Sequence, residues 1–272
     1  MVPAVGIVVG LASPRTNPVA VSSAIELGAD CIEFAPHYAA GRGFEVAAAS
    51  MSSSGRIVDI ALKASPELLT SERSILESLI RRCRLTFGEG QPRSLLLHNP
   101  ERLGGRASPD WSSWILALRK WEQDIGCEIG LAVWSLLEEV TPAQIAMDFA
   151  ALGARLSIIE SACSMVRTEA IRHRCGLRSE DAYEYWASGI FDGGWLPDAL
   201  ADWPLVEELG RTSAVDLCIA TVMLSAPTRV VIAATSPERT VGLIRHLRSS
   251  TPFTSEARAR VESLVEYGTK QA

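Results

Sequence analysis

Four side chains that handle protons stand at or just after short apolar runs in this sequence. Glu33 and Tyr38 follow DCI, Lys63 closes IVDIALK, and His98 closes SLLLH. A lysine ammonium near a phenol lowers the tyrosine's pKa, and a carboxylate keeps the lysine charged and placed. A histidine beside them orients a carbonyl oxygen or relays a proton. Each residue also has a plainer reading. A buried lysine is costly unless paired, so Lys63 with Glu33 can be a structural ion pair. His98 can be a satisfied core histidine, and Tyr38 a packing residue. Convergence of all four in one place would separate the readings.

The elements that must position them show in the patterning. Short apolar runs lie at residues 5–12, 30–36, 56–64, 93–100, 128–134, 155–162 and 229–235. Continuous apolar runs of this length read as strands covered on both faces. Helical patterns fill residues 17–29, 71–87, 108–125, 141–153 and 236–247, and a last amphipathic helix is predicted over 255–267. Ser71, Ser108 before Pro109, Thr141 and Ser236 sit where helix caps belong. Strand starts recur at about 30 residues, the length of one βα unit. The seventh strand is predicted near 180–188 (EDAYEYWAS), which is a poor strand with many acids. No GxGxxG or P-loop follows the first strand. The fold class is therefore α/β, a single (β/α)8 TIM barrel over 1–272 as one domain. Strand C-terminal ends carry the chemistry in such a barrel, and they hold Glu33, Lys63, His98, Trp134 and Glu160.

Composition removes other classes. The chain has 272 residues, 47% hydrophobic and 21% charged, which argues against disorder. Its net charge of −6 disfavours nucleic acid as a partner. No apolar run reaches the ~18 residues of a membrane span, and the N-terminus has no basic leader. Cys31, Cys83, Cys127, Cys163, Cys175 and Cys218 form no CxxC pair, so buried free thiols in a reducing cytoplasm are expected, with no metal site. Trp111, Trp114 and Trp121 recur at roughly helical spacing and read as core. Trp134, Tyr183, Tyr185, Trp186 and Trp195 fall where loops would wall a pocket for an apolar or aromatic substrate. Arg167, Arg172, His173, Arg174 and Arg178 form a basic stretch that reads as a solvated helix face or as a site for an acidic group.

The motifs resemble the aldo-keto reductases from about Gly6 to Leu247. IEFAPHY is similar to that family's DTAxxY, with Glu33 at the aspartate and Tyr38 at the tyrosine. GFEVAAA is similar to SExxLG through Glu45. IALKA places Lys63 at the catalytic lysine and SLLLHNP places His98 at the catalytic histidine. VVIAATSPERT resembles the last strand and its phosphate-binding turn. The resemblance implies an eight-stranded barrel and NADP(H)-dependent reduction of an aldehyde or ketone. Tyr38 would protonate the carbonyl oxygen, Lys63 and Glu33 would tune it, and His98 would position the substrate. Glu160 and Ser164 would hold the nicotinamide, and Thr235, Ser236 and Arg239 the phosphate.

The departures cluster on the cofactor side. Ala132 stands for the family's Ser, Glu160 for Gln, Ser164 for Asn, and Ala233-Ala234 for Pro-Gly; Gly242 and Leu243 replace a Glu-Asn pair. The N-terminal hairpin that plugs the barrel is also missing from the pattern. Two expectations follow. One is a divergent NADP(H)-dependent reductase of a small carbonyl compound. The other is a cofactor-free acid–base enzyme, a dehydratase, isomerase or cyclase, that uses Tyr38, Lys63, His98, Glu33 and Glu160. A binding subunit with an idle pocket is disfavoured by the retained lysine.

Overall fold

The computed structural model describes residues 5–173 and 183–268. Eight parallel strands close into a barrel in sequence order: β1 (Gly6–Gly10), β2 (Cys31–Phe34), β3 (Asp59–Ala64), β4 (Ser94–His98), β5 (Glu128–Val133), β6 (Leu156–Ala162), β7 (Glu184–Ser188) and β8 (Arg229–Ala233). β8 pairs with β1, with Val8 opposite Val231. The longer helices between and after them are α1 (Pro18–Glu26), α2 (Gly43–Ser54), α3 (Arg73–Phe87), α4 (Trp111–Ile125), α5 (Pro142–Ala151), α6 (Ala214–Val222), α7 (Pro237–Ser249) and α8 (Ser255–Gly268).

The strands are apolar on both faces because each face meets a different core. Outward side chains pack under the helices. Inward ones form a second cluster of Val8, Cys31, Ala61, Leu96, Ala132, Ile158, Trp186 and Val231. That inner cluster fills the barrel below the polar ends of the strands. The acidic seventh strand is tolerated because Glu184 lies at the barrel floor, 3.1 Å from Arg229. Arg229 also reaches Asp30 at 2.7 Å and lies over the Trp186 ring at 5.4 Å. Cation, acids and indole together close the floor from within.

Most helix starts follow the sequence signals. Asn17 accepts from the Val19 N–H, and Thr141 with Gln144 forms a full capping box. Two do not. α3 begins at Arg73, and Ser71 instead donates to the Glu67 carbonyl at 3.3 Å, which ends the preceding turn. α4 begins at Trp111, after a turn in which Ser108 Oγ accepts from the Asp110 N–H at 3.3 Å. Trp111, Trp114 and Trp121 are buried, as their spacing suggests. The five described cysteines are buried and free, and Cys175 lies outside the described residues. Among the described residues no helix is long and apolar enough to cross a membrane.

β5 and β6 approach closely at Gly130. A Cβ there would lie 2.2 Å from the Ile158 carbonyl oxygen. The carbonyl oxygen and carbon of Ile158 are backbone atoms, so they cannot swing away as a flexible side chain would. We expect Gly130→Ala to lose about 3 kcal/mol or more of stability in denaturant titration. Gly242→Ala is the control, because a Cβ there meets nothing within 4 Å. It should be neutral or stabilising by up to about 1 kcal/mol.

Candidate active site

Glu33, Lys63, His98 and Glu160 sit near the C-terminal ends of β2, β3, β4 and β6. Register decides what meets inside. Glu33 lies beside Gly10 on β1 and Ala61 on β3. Ala132 on β5 lies beside both His98 and Glu160. These small neighbours leave the middle of the barrel to long side chains. At Gly10 a Cβ would come within 2.9 Å of Glu33 Oε1. The glycine is thus the space into which the longer glutamate fits, a role that sequence reading missed.

Lys63 Nζ lies 2.8 Å from Glu33 Oε2 and 2.8 Å from both oxygens of Glu160. Glu33, Lys63 and Glu160 are only 2%, 3% and 4% exposed. The expected pair is therefore a triad, and Glu160 is engaged with the lysine. The missed signal was its setting in the run RLSIIESA: a carboxylate among such neighbours needs a cation. Burial works against the lysine's charge, but Glu160 and Glu33 together raise its pKa. Burial and then the like charge of Glu160 push Glu33 up to about 8, against Lys63. Burial also opposes ionisation of Glu160, yet the Lys63 ammonium holds it below the usual carboxylate range.

Tyr38 stands on the loop after β2, buried, with its hydroxyl oxygen 3.1 Å from His98 Nε2. The chain turns sharply beyond it. Ala39 and Ala40 hold φ of 52° and 56°, left-handed positions that cost an L-residue about 1–2 kcal/mol each. The His98 ring meets the Tyr38 ring edge-on at 5.6 Å and stacks on His37 at 5.8 Å. Asn99 Nδ2 also lies 3.1 Å from His98 Nε2. With the amide in this orientation, Nε2 accepts and the imidazole proton sits on Nδ1. Burial, then Lys63, pushes His98 down to about 3, so the ring is neutral.

One electrostatic expectation is corrected. Lys63 does lower the Tyr38 pKa and lies 5.8 Å from the ring centroid. Burial outweighs it and pushes the phenol up to about 12. Desolvating a phenolate costs more here than the ammonium returns, because two carboxyl groups already claim that ammonium. Tyr38 is a protonated acid at neutral pH.

The remaining sequence-picked residues divide. Thr235, Ser236 and Arg239 occupy the turn from β8 into α7, where Ser236 Oγ accepts from the Arg239 N–H at 3.2 Å. Arg239 is exposed. The turn is tied to the start of α1 by the Asn17 N–H on the Ala234 carbonyl, 3.0 Å. Ser164 is fully buried, and its hydroxyl accepts from the Val166 and Arg167 N–H groups at 3.3 and 3.2 Å. It shapes its own turn. Trp134 and Trp195 are 44% and 51% exposed at the mouth. Arg167 lies over the Trp134 ring at 4.4 Å and pairs with Asp192 at 3.0 Å, and Asp192 also accepts from the Trp195 indole at 3.1 Å. Tyr185 and Trp186 are not wall residues. Both are buried in β7: Tyr185 Oη bonds Ser161 Oγ at 3.2 Å, and the Trp186 indole donates down to Glu184 at 2.8 Å. Of the basic stretch, Arg167 and Arg172 are paired with acids; Arg174 and Arg178 lie outside the described residues. Among the described residues no acidic, histidine or cysteine group could hold a metal.

No family model and no curated protein matches this chain. Solved structures do. The glycerol dehydrogenase of Gluconobacter oxydans matches with a TM-score of 0.69 and 16% identity, over 97% of this chain and 94% of that one. An aldo/keto reductase from Klebsiella pneumoniae, solved with NADP and acetate, matches at 0.70 and 17%, over 97% and 92%. The holo aldo-keto reductase of Bacillus halodurans matches at 0.69 and 15%, over 96% and 91%. This chain has the aldo-keto reductase fold. The likeness runs through nearly the whole chain, so the barrel and its strand order are shared.

The neutral imidazole makes a pH prediction. The unfolded chain protonates His98 near 6.5, whereas the folded site resists until about 3. The folded state therefore binds fewer protons in that window, and stability falls as pH drops through it. Thermal melts of His98→Gln should lose less of their midpoint between pH 6.5 and 4 than those of the wild type.

Proposed function

We propose that this protein is an oxidoreductase of the aldo-keto reductase type. It reduces an aldehyde or ketone with NADP(H), and Tyr38 is the proton donor. The observation that carries the reading is Tyr38 Oη at 3.1 Å from a neutral His98, beside a lysine that stays charged. The fold supports it, as does the NADP held by the Klebsiella pneumoniae protein of the same fold.

The residues on hand suit the two ends of such a dinucleotide unequally. The start of α7 offers the exposed Arg239 side chain and the Ser236 hydroxyl hydrogen, donors that suit a phosphate. At the other end Glu160 can accept from a carboxamide N–H but cannot donate, and Ser164 is committed to its own turn. Thr235, Ser236 and Arg239 would hold the phosphate, and Glu160 would face the carboxamide. A hydride for the carbonyl carbon is the chemistry that the dinucleotide supplies when bound.

The protein's own part is the proton. The Tyr38 O–H, which rests on His98 in the free site, turns to the carbonyl oxygen and gives it a proton as charge grows there. A phenol held near 12 keeps that proton at neutral pH, so the free site is set for reduction. The tyrosinate left behind is stabilised by the Lys63 ammonium. Neutral His98 orients the Tyr38 hydroxyl through Nε2 and does not compete as an acid. Trp134 and Trp195 present apolar faces at the mouth, and a small apolar or aromatic carbonyl compound suits them.

Titration with NADPH and NADH tests the reading directly. Saturable binding of NADPH is expected. Tyr38→Phe should keep that binding and lose about 10²–10⁴-fold in turnover. A folded protein that binds neither dinucleotide overturns the redox reading. The commitment of Glu160 to Lys63 and of Ser164 to its turn favours one second reading, proton transfer beside a carbonyl without a dinucleotide. That reading requires α-hydrogen exchange of a ketone in heavy water, lost in Tyr38→Phe.

A further inference from the structure

The site holds one group more than a tyrosine, its lysine and a single counter-ion need. Two carboxylates share one ammonium, and all three are buried. Glu33 Oε2 and Glu160 Oε2 both lie 2.8 Å from Lys63 Nζ, so the two carboxyl groups crowd the same nitrogen. Glu33 Oε2 and Glu160 Oε2 are buried, and beyond the ion pair neither has a hydrogen bond of its own. Two such oxygens, crowded on one nitrogen without other donors, are relieved when one carboxyl carries a proton. A fully ionised trio would also leave a net negative charge in the barrel, away from water.

We propose that Glu33 and Glu160 share one proton over Lys63, a proton store that can refill Tyr38. The shared proton makes the trio electrically neutral, as in other pairs of crowded carboxyl groups. The groups that face the pair agree with this. Lys63 is the ammonium between them; Tyr38 and His98 are neutral; the Cys31 thiol, below Glu33, is held un-ionised by its burial. His37 and Arg102 act on His98 from the loops above. The proton resides on Glu33, the carboxyl that burial and Glu160 push up to about 8.

The transfer balances. Tyr38 gives its proton away and becomes a phenolate. Lys63, whose Nζ lies 5.8 Å from the centre of the Tyr38 ring, returns a proton to that oxygen. The neutral amine then takes the carboxyl proton from Glu33, leaving Glu33 and Glu160 both as carboxylates around a restored ammonium. No electrons move, and solvent replaces the store afterwards. The store itself follows from the trio alone; its use in turnover rests on Tyr38 acting as the acid in the proposed reaction.

Infrared spectroscopy of the purified protein reads the proton without a substrate. Wild type should show a protonated-carboxyl C=O band that shifts in heavy water and disappears with a midpoint near pH 8. Glu33→Gln should lack the band. In Glu160→Gln the like charge is gone, so the band should disappear at a lower pH than in the wild type. Melting gives a second measure that survives if Glu33→Gln fails to fold. The folded state holds a proton that the unfolded chain releases near 4.5, so wild-type stability should fall as pH rises from 6.5 to 8. Glu160→Gln should flatten that fall. A wild type with no such band above pH 6 overturns the proposal, as does a band unchanged in both variants. A band present in a protein that binds no dinucleotide keeps the store and removes only the redox reading.

Discussion

The buried ammonium of Lys63 is the constraint around which the upper barrel is arranged. An isolated charge there would cost many kcal/mol, so carboxylates from β2 and β6 must reach across to β3. That reach requires small neighbours. Gly10 makes room for Glu33, and Ala132 stands between His98 and Glu160. Removing one member of such a group typically costs about 3–5 kcal/mol, because the others stay buried without a partner. The same charges set the states of the groups above them. Lys63 adds to burial in keeping His98 neutral, and it is too heavily claimed to ionise Tyr38.

The two ends of the barrel solve one problem for different purposes. At the floor Arg229 also sits between two acids, Asp30 and Glu184, and packs over Trp186. Its acids are half-exposed, so water shares the charge and the floor serves closure. At the mouth the trio is dry, and its charge can be spent on a bound molecule. Tyr38 is placed above it at the start of a strained turn, beside left-handed Ala39 and Ala40. Strain beside a chemically active group is affordable only because the surrounding strands hold the turn in place.

Much of this was legible in the residues. Strands covered on both faces leave continuous apolar runs, so seven of the eight strands stood out. The eighth, Glu184–Ser188, was legible only weakly, since its glutamate answers to an arginine 45 residues away. Caps that act within three residues, such as Thr141 with Gln144, could be read locally. Ser71 and Ser108 could not, because turns ahead of their helices took their hydroxyls. Glu33, Tyr38, Lys63 and His98 were recognisable by type and position. Glu160 was noticed but given to a ligand, because only the register of β5 and β6 shows it meeting Lys63.

By itself the sequence determined the layering of the fold and the identity of the proton-handling groups. Apolar periodicity and residue chemistry are local properties, and they survive without coordinates. The tertiary structure alone decided which charges neutralise which, and therefore which groups keep a proton. A pKa depends on burial and on partners a few ångströms away, and those partners come from strands up to 127 residues apart, as Glu33 and Glu160 do. Closure of the barrel converts a lysine expected to lower a tyrosine's pKa into one held by two carboxyl groups, beneath a tyrosine whose pKa burial raises.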